Sequence, residues 1–196
     1  MRQLIIIILF LPFYGSGFGQ SAKEQAFAKT VKQVVSAFSK QDSAALAKFI
    51  DQKTGLYQLY RMGVFDAYTR HTTFSFADSA YPQLLMTNTK NILPLPLTYA
   101  RLPVWDCDKE AWSKKGLFVD TTRTDHLLSR ICKDRNKYVP DNIPQKTIQA
   151  FYNLENKSRR LVLFDKNKME LVFYLSYLNG KWYLTIIDNA SSDCSA

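Results

Sequence analysis

Asn179-Gly180 lies between two long apolar stretches, and few dipeptides restrict a chain's fold more tightly. A two-residue hairpin loop needs positive φ at both central positions, which Asn and Gly tolerate and most residues do not. The flanking runs, Lys168 to Leu178 and Lys181 to Asp188, are expected to pair antiparallel, with Arg159 to Phe164 as a third strand. In the last run Trp182, Leu184 and Ile186 alternate with Tyr183, Thr185 and Ile187. In the run before it, Leu171, Phe173, Leu175 and Tyr177 oppose Val172, Tyr174 and Leu178. Apolar side chains on both faces mark a central strand, covered by helix on one side and by another element on the other.

The first half of the chain supplies the helices. Phe27, Val31, Val34, Val35 and Phe38 fall on one face of a helix over residues 21–39, with Lys23, Glu24, Lys29, Lys32 and Gln33 around the rest. Asp42 has the side chain to cap a second, short helix carrying Leu46, Phe49 and Ile50, and Gly55 marks its end or the turn beyond. Leu56 to Arg61 reads as a strand broken by Gly63. Val64 to Tyr68 reads as one helical turn or an irregular link, and Phe74 to Phe76 as a short strand. Leu93, Leu95, Leu97 and Tyr99 alternate with Pro94, Pro96 and Thr98. Proline cannot donate to a ladder, so an edge strand or a surface-hugging segment is expected there. Asp125 to Cys132 reads as a helix with Thr124 as its cap, and Pro144 opens another that carries Ile148, Phe151, Tyr152 and Leu154.

The first twenty residues have the pattern of a secretory leader. Arg2 precedes the apolar run Leu4 to Leu11, Pro12 ends it, and Gly17 and Gly19 provide small residues before a cut at Gln20. Eight apolar residues fall short of the roughly 20 that span a bilayer. No cysteine follows the run to take a lipid. The expectation is an exported protein, periplasmic or secreted, with no transmembrane segment in its mature form. Removal of Arg2 with residues 1–19 lowers the net charge from +9 to +8. The glycine-rich stretch Gly15 to Gly19, which resembles a phosphate loop, leaves with the leader.

Hydrophobic residues at 46% and charged residues at 22% are ordinary for a globular domain, and 196 residues suffice for one. Three cysteines and two histidines argue against a disulfide scaffold, a cysteine zinc site or a multi-histidine metal centre, and no cofactor motif is present. Export permits disulfides. A Cys107–Cys132 bond is the expected pairing; it would stabilise the fold by roughly 3 kcal/mol through loop closure. Pairings through Cys194 and three reduced thiols are the alternatives.

Trp105-Asp106-Cys107-Asp108 followed by Trp112 suits a ligand platform, or a tryptophan packed beside a disulfide. Asp125, His126 and Ser129 resemble a triad fragment, but adjacent helical residues point apart, so Asp125 cannot easily orient His126. Basic residues are dense over Lys109–Lys137 and Lys157–Lys168. Export makes nucleic acid a poor partner, so the choice lies between anionic envelope glycans or lipid headgroups and a merely solvated face.

Helix, short helix and a late hairpin closing on Asn179-Gly180-Lys181-Trp182-Tyr183-Leu184-Thr185-Ile186 resemble the nuclear-transport-factor-two-like superfamily of cone-shaped α+β domains. The resemblance covers residues 21–60 and 159–188 and leaves 77–145 as an insertion. The chain also resembles uncharacterised exported proteins of the Bacteroidetes kind, a group associated with O-glycosylation at triplets such as Asp42-Ser43-Ala44, Asp78-Ser79-Ala80 and Asp120-Thr121-Thr122. In enzymes of the cone-shaped kind an acid, a histidine and a tyrosine can share an apolar pocket. The resemblance implies that Tyr57 or Tyr60 would supply the phenol and Asp66 or His71 the base. An Asp66–Arg70 ion pair is the plainer reading.

The fold expected is α+β: N-terminal helices packed on a curved, mostly antiparallel sheet, with a long loop-rich insertion, in a single domain over 20–188 followed by a polar tail at 189–196. The function expected is a non-enzymatic binding or accessory module of the cell envelope whose partner is a small molecule, a glycan or an envelope protein. An isomerase, dehydratase or hydrolase using an apolar cone, and a purely structural protein, are the alternatives. Tyr57, Tyr60, Asp66, His71, Trp105 and Trp112 are the candidate ligand-binding residues.

Overall fold

Asn179 and Gly180 take φ of 48° and 83° and fold Glu170–Leu178 back onto Lys181–Asp188. The computed structural model describes residues 21–77, 89–120 and 125–194. The leader, Asp78-Ser79-Ala80, Thr121, Thr122 and the Thr124 cap lie outside them. In chain order the helices are α1 (Ala22–Lys40), α2 (Ser43–Ala47), α3 (Leu127–Tyr138) and α4 (Gln145–Glu155). The strands are β1 (Leu56–Met62), β2 (Phe65–His71), β3 (Leu97–Tyr99), β4 (Trp105–Asp106), β5 (Ala111–Trp112), β6 (Gly116–Val119), β7 (Ser158–Phe164), β8 (Glu170–Leu178) and β9 (Lys181–Asp188).

Seven strands form one sheet in the order β2-β1-β9-β8-β7-β6-β3, which puts β8 in the middle. Only β1–β9 and β3–β6 pair parallel, so the chain is an α+β protein with a mostly antiparallel sheet. The two faces of β8 enter different cores, as its doubly apolar pattern requires. Leu171, Phe173 and Leu175 pack under α1, while Tyr174 lies beneath α3 and α4, and Val172 beneath the small β4–β5 hairpin. Such packing stabilises by about 1.5–3 kcal/mol per large apolar side chain buried.

The α1 helix forms because its apolar positions make one stripe and both ends are closed. Phe27, Val31, Val34, Val35 and Phe38 are all buried. Ser21 Oγ accepts from Glu24 N–H, and Gln41, at φ 52°, ends the helix with its N–H on the last carbonyls. Asp42 caps α2 by accepting from Ala45 N–H at 2.9 Å. The Ser43 hydroxyl, in the Asp42-Ser43-Ala44 triplet, accepts from Phe76 N–H at 3.0 Å.

Three local readings change and a fourth holds. Val64–Tyr68 is neither helix nor link: Gly63 and Val64 make a tight turn, and β2 pairs with β1 from Met62↔Phe65 to Leu56↔His71. Phe74–Phe76 is not a strand; the Phe74 and Phe76 rings pack edge-on against each other and against Phe38. Ile186 leaves the face shared by Trp182 and Leu184. A bulge lets Tyr174 pair with Ile186 but Leu175 with Leu184, so Thr185 is the extra residue and Ile187 takes the α1 side. The proline-rich run behaves as its missing donors dictate, with only Leu97–Tyr99 entering the sheet, at its edge.

The disulfide expectation is also corrected: Cys107 bonds Cys194, with Cα atoms 5.8 Å apart. Cys132 is on the inner face of α3, fully buried with Leu128 and Ile131, whereas Cys107 lies in the exposed β4–β5 turn. Spacing in sequence cannot show that the two cysteines belong to different packing clusters. The 87-residue closure stabilises by about 4.6 kcal/mol in the chain-entropy model. It also fixes the tail, where Ala190 is buried and Arg61 holds Asp193 O at 3.0 Å.

Candidate functional site

A concavity of about 1120 Å³ lies against α1, bounded by α2 and by the extended segment 92–97. Its construction follows from the leucine–proline alternation. Leu93, Leu95 and Leu97 are half-buried while Pro94 and Pro96 are exposed. This extended strap is pinned to the end of α1 by Asn91 N–H on Ser39 O and Ser39 Oγ–H on Ile92 O. Val31, Val35, Ile92, Leu95, Leu97 and Leu117 make an apolar floor. Lys29, Lys32, Lys40 and Lys48 stand around it, all exposed. Among the described residues Asp42 is the one carboxylate in the lining, and its oxygen already caps α2. A cleft of this kind accepts an apolar body and attracts a negative charge at its rim.

None of the six residues singled out from sequence lines this cleft, and only Trp105 and Trp112 among them pack against each other. Tyr57 faces the α3–α4 side, edge-on to Tyr68 and Phe151. Burial raises its phenol above the ordinary range, although Arg70 pulls it back down. Tyr60 accepts a long bond from Thr69 Oγ1, at 3.4 Å. Asp66 pairs with Arg61 at 2.9 Å across the β1–β2 hairpin, not with Arg70, because in a strand the fourth residue on is too distant. Arg70 instead donates to the carbonyls of Thr54 and Lys53. His71 is buried at the end of β2. Trp105 donates to Cys194 Sγ and meets Trp112 edge-on at 5.5 Å, and Trp112 donates to Glu170 Oε2 at 2.6 Å. The tryptophans therefore pack beside a disulfide, though its partner is Cys194.

The triad fragment is likewise dispersed. Asp125 pairs with Arg160 at 3.0 Å, His126 bonds Asn156 and stacks on Tyr152, and Ser129 Oγ donates to Glu155 at 2.6 Å. Arg160 also reaches Asp188 at 2.8 Å and Ser191 at 2.7 Å, tying the tail to the sheet. Tyr174 lies fully buried beneath this network, and its phenol is pushed far up by burial. Among the described residues no three His, Cys, Asp or Glu side chains gather to hold a metal ion.

Sequence reasoning missed the cleft for an identifiable reason. Lys29 and Lys32 read as the solvent face of α1, which they are. Only the fold of the strap reveals that the solvent beside them is bounded on its far side. The alternation of leucine with proline was the available signal.

A comparison of this chain with known protein families, characterised proteins and solved structures finds no match.

Proposed function

We propose that this chain is a non-enzymatic binding module of the cell envelope, and that the cleft beside α1 takes an amphipathic anion. The apolar stem of such a molecule would lie along Phe49, Leu95 and Leu97, and its carboxylate or phosphate would meet the lysines. The carrying observation is the pairing of an apolar floor with four cations and a single carboxylate already engaged as a helix cap. That pairing also favours binding over isomerase, dehydratase or hydrolase chemistry, because among the described residues no acid–base pair lines the cleft. The exposed Cys107–Cys194 bond supports an oxidising compartment, since such bonds rarely persist in the cytosol. Among the described residues no helix is long and apolar enough to cross a membrane. The nuclear-transport-factor-two-like kinship is part of this reading. It is supported by two leading helices on one face of a sheet that includes the Gly180-Lys181-Trp182 hairpin, with α3 and α4 packed on the other face.

Calorimetric titration with a long-chain fatty acid tests the proposal. The wild type should bind it, and Lys32→Glu with Lys40→Glu should weaken binding by roughly tenfold or more as two attractive charges become repulsive. Absence of binding, or equal binding by the double variant, overturns it.

A further inference from the structure

The end of the β1–β2 hairpin carries apolar side chains outward. Met62 is 55% exposed and Val64, in the turn itself, is 69% exposed. Phe65 stacks on Tyr138 at 5.9 Å, and Tyr138, the last residue of α3, is 58% exposed. These four side chains make one apolar tip, and no burial requirement accounts for it, since the hairpin would turn equally well with polar residues at Met62 and Val64. Beside the tip runs a basic stripe. Arg130, Lys133 and Lys137 recur at helical spacing along α3, all exposed, and Asp134 is the only exposed carboxylate of that helix. Lys137 Nζ sits 4.6 Å over the Tyr138 ring, at the junction of stripe and tip. The other cations nearby are engaged: Arg61 pairs with Asp66 and Arg135 with Asp141.

We infer that this end of the molecule docks on an anionic bilayer surface, with the hairpin tip entering the headgroup boundary and the α3 stripe lying over the lipid phosphates. The tip is made by four side chains, where a stable protein interface takes roughly 20–30 residues a side. An apolar point with a tyrosine beside it and lysines behind it matches the layering of a bilayer surface, apolar below and anionic above. This surface shares no residue with the cleft beside α1, so the two proposals stand or fall separately.

The test is sedimentation of the protein, isolated from the compartment to which the cell delivers it, with phosphatidylglycerol–phosphatidylcholine vesicles and with pure phosphatidylcholine vesicles. Binding to the mixed vesicles alone, weakened by salt, is expected. Val64→Asp should lower it about tenfold by removing an apolar side chain from the boundary. Lys133→Glu with Lys137→Glu should lower it at least as much. Both variants change exposed side chains, and thermal unfolding at the wild-type temperature verifies their folding. Failure to bind anionic vesicles, equal binding to neutral ones, or variants that bind like the wild type would overturn the inference. So would a concentration-dependent dimer abolished by Val64→Asp, which would assign the tip to a second copy of the chain.

Discussion

Glu155, in the last turn of α4, closes the amino terminus of α3 through Ser129. Its carboxylate accepts Ser129 Oγ–H at 2.6 Å, Ser129 N–H at 3.2 Å and Leu128 N–H at 2.6 Å. His126, at the cap position itself, makes no such bond. One buried acid thus supplies the acceptors a helix start requires and joins two helices that cover the same face of the sheet.

Glu155→Gln keeps the shape but turns an amide N–H group toward backbone donors, and should cost about 1–3 kcal/mol. The pH dependence carries the sharper signature. Burial lifts the Glu155 carboxyl above the usual glutamate range, against the lowering pull of Ser129 and the two N–H groups. The folded state then holds this proton more tightly than the unfolded chain, so this group's stabilising effect is present in full below the usual glutamate range and declines as pH rises through the window above it. The stability advantage of wild type over Glu155→Gln should grow as pH falls from neutrality toward that range. Urea melts at several pH values that show it shrinking would refute the assignment.

Cysteine accounting separates the observed pairing from the one expected. Burial pushes the Cys132 thiol up to about 11, although Tyr68 lowers it somewhat. Thiol titration should find no fast-reacting group in the native oxidised protein, one after denaturation without reductant, and three after reduction. Peptide mapping should recover Cys107 joined to Cys194. A Cys107–Cys132 peptide would contradict the structure.

Arg159 binds Glu24 with both ends of its guanidinium, at 2.7 and 2.6 Å, while lying 4.7 Å over Phe27 and 5.2 Å over Trp182. The pair fastens α1 to the sheet, and the hydrogen bonds from Arg159 hold the Glu24 carboxyl below its usual range. Arg159→Ala should cost about 1–3 kcal/mol. Arg159→Lys should recover only part, because an ammonium cannot reproduce the fork or the stacking. Full recovery in a denaturant melt would reduce the contact to simple charge.

The strength of these elements tracks how local their causes are. The Asn179-Gly180 turn, the doubly apolar β8 and the stripe on α1 were legible because each depends on a residue and its near neighbours. Val64–Tyr68 was misread because its strand character comes from pairing with β1, and Ile186 because one extra residue, Thr185, reverses an alternation. Cys194 and the cleft were hidden for a related reason. A tail's anchor and the far wall of a groove come from segments distant in sequence, and Lys29 looks the same in a list of residues whether or not Leu95 faces it across a gap.

The most direct test is photocrosslinking with a diazirine-bearing fatty acid, followed by peptide mapping. Binding in the cleft predicts label on Phe49, Leu95 and Leu97, the half-buried apolar side chains of its lining, competed by unlabelled fatty acid and lost in Lys32→Glu with Lys40→Glu. Label concentrated on the α3–α4 face, or spread without competition, would contradict it.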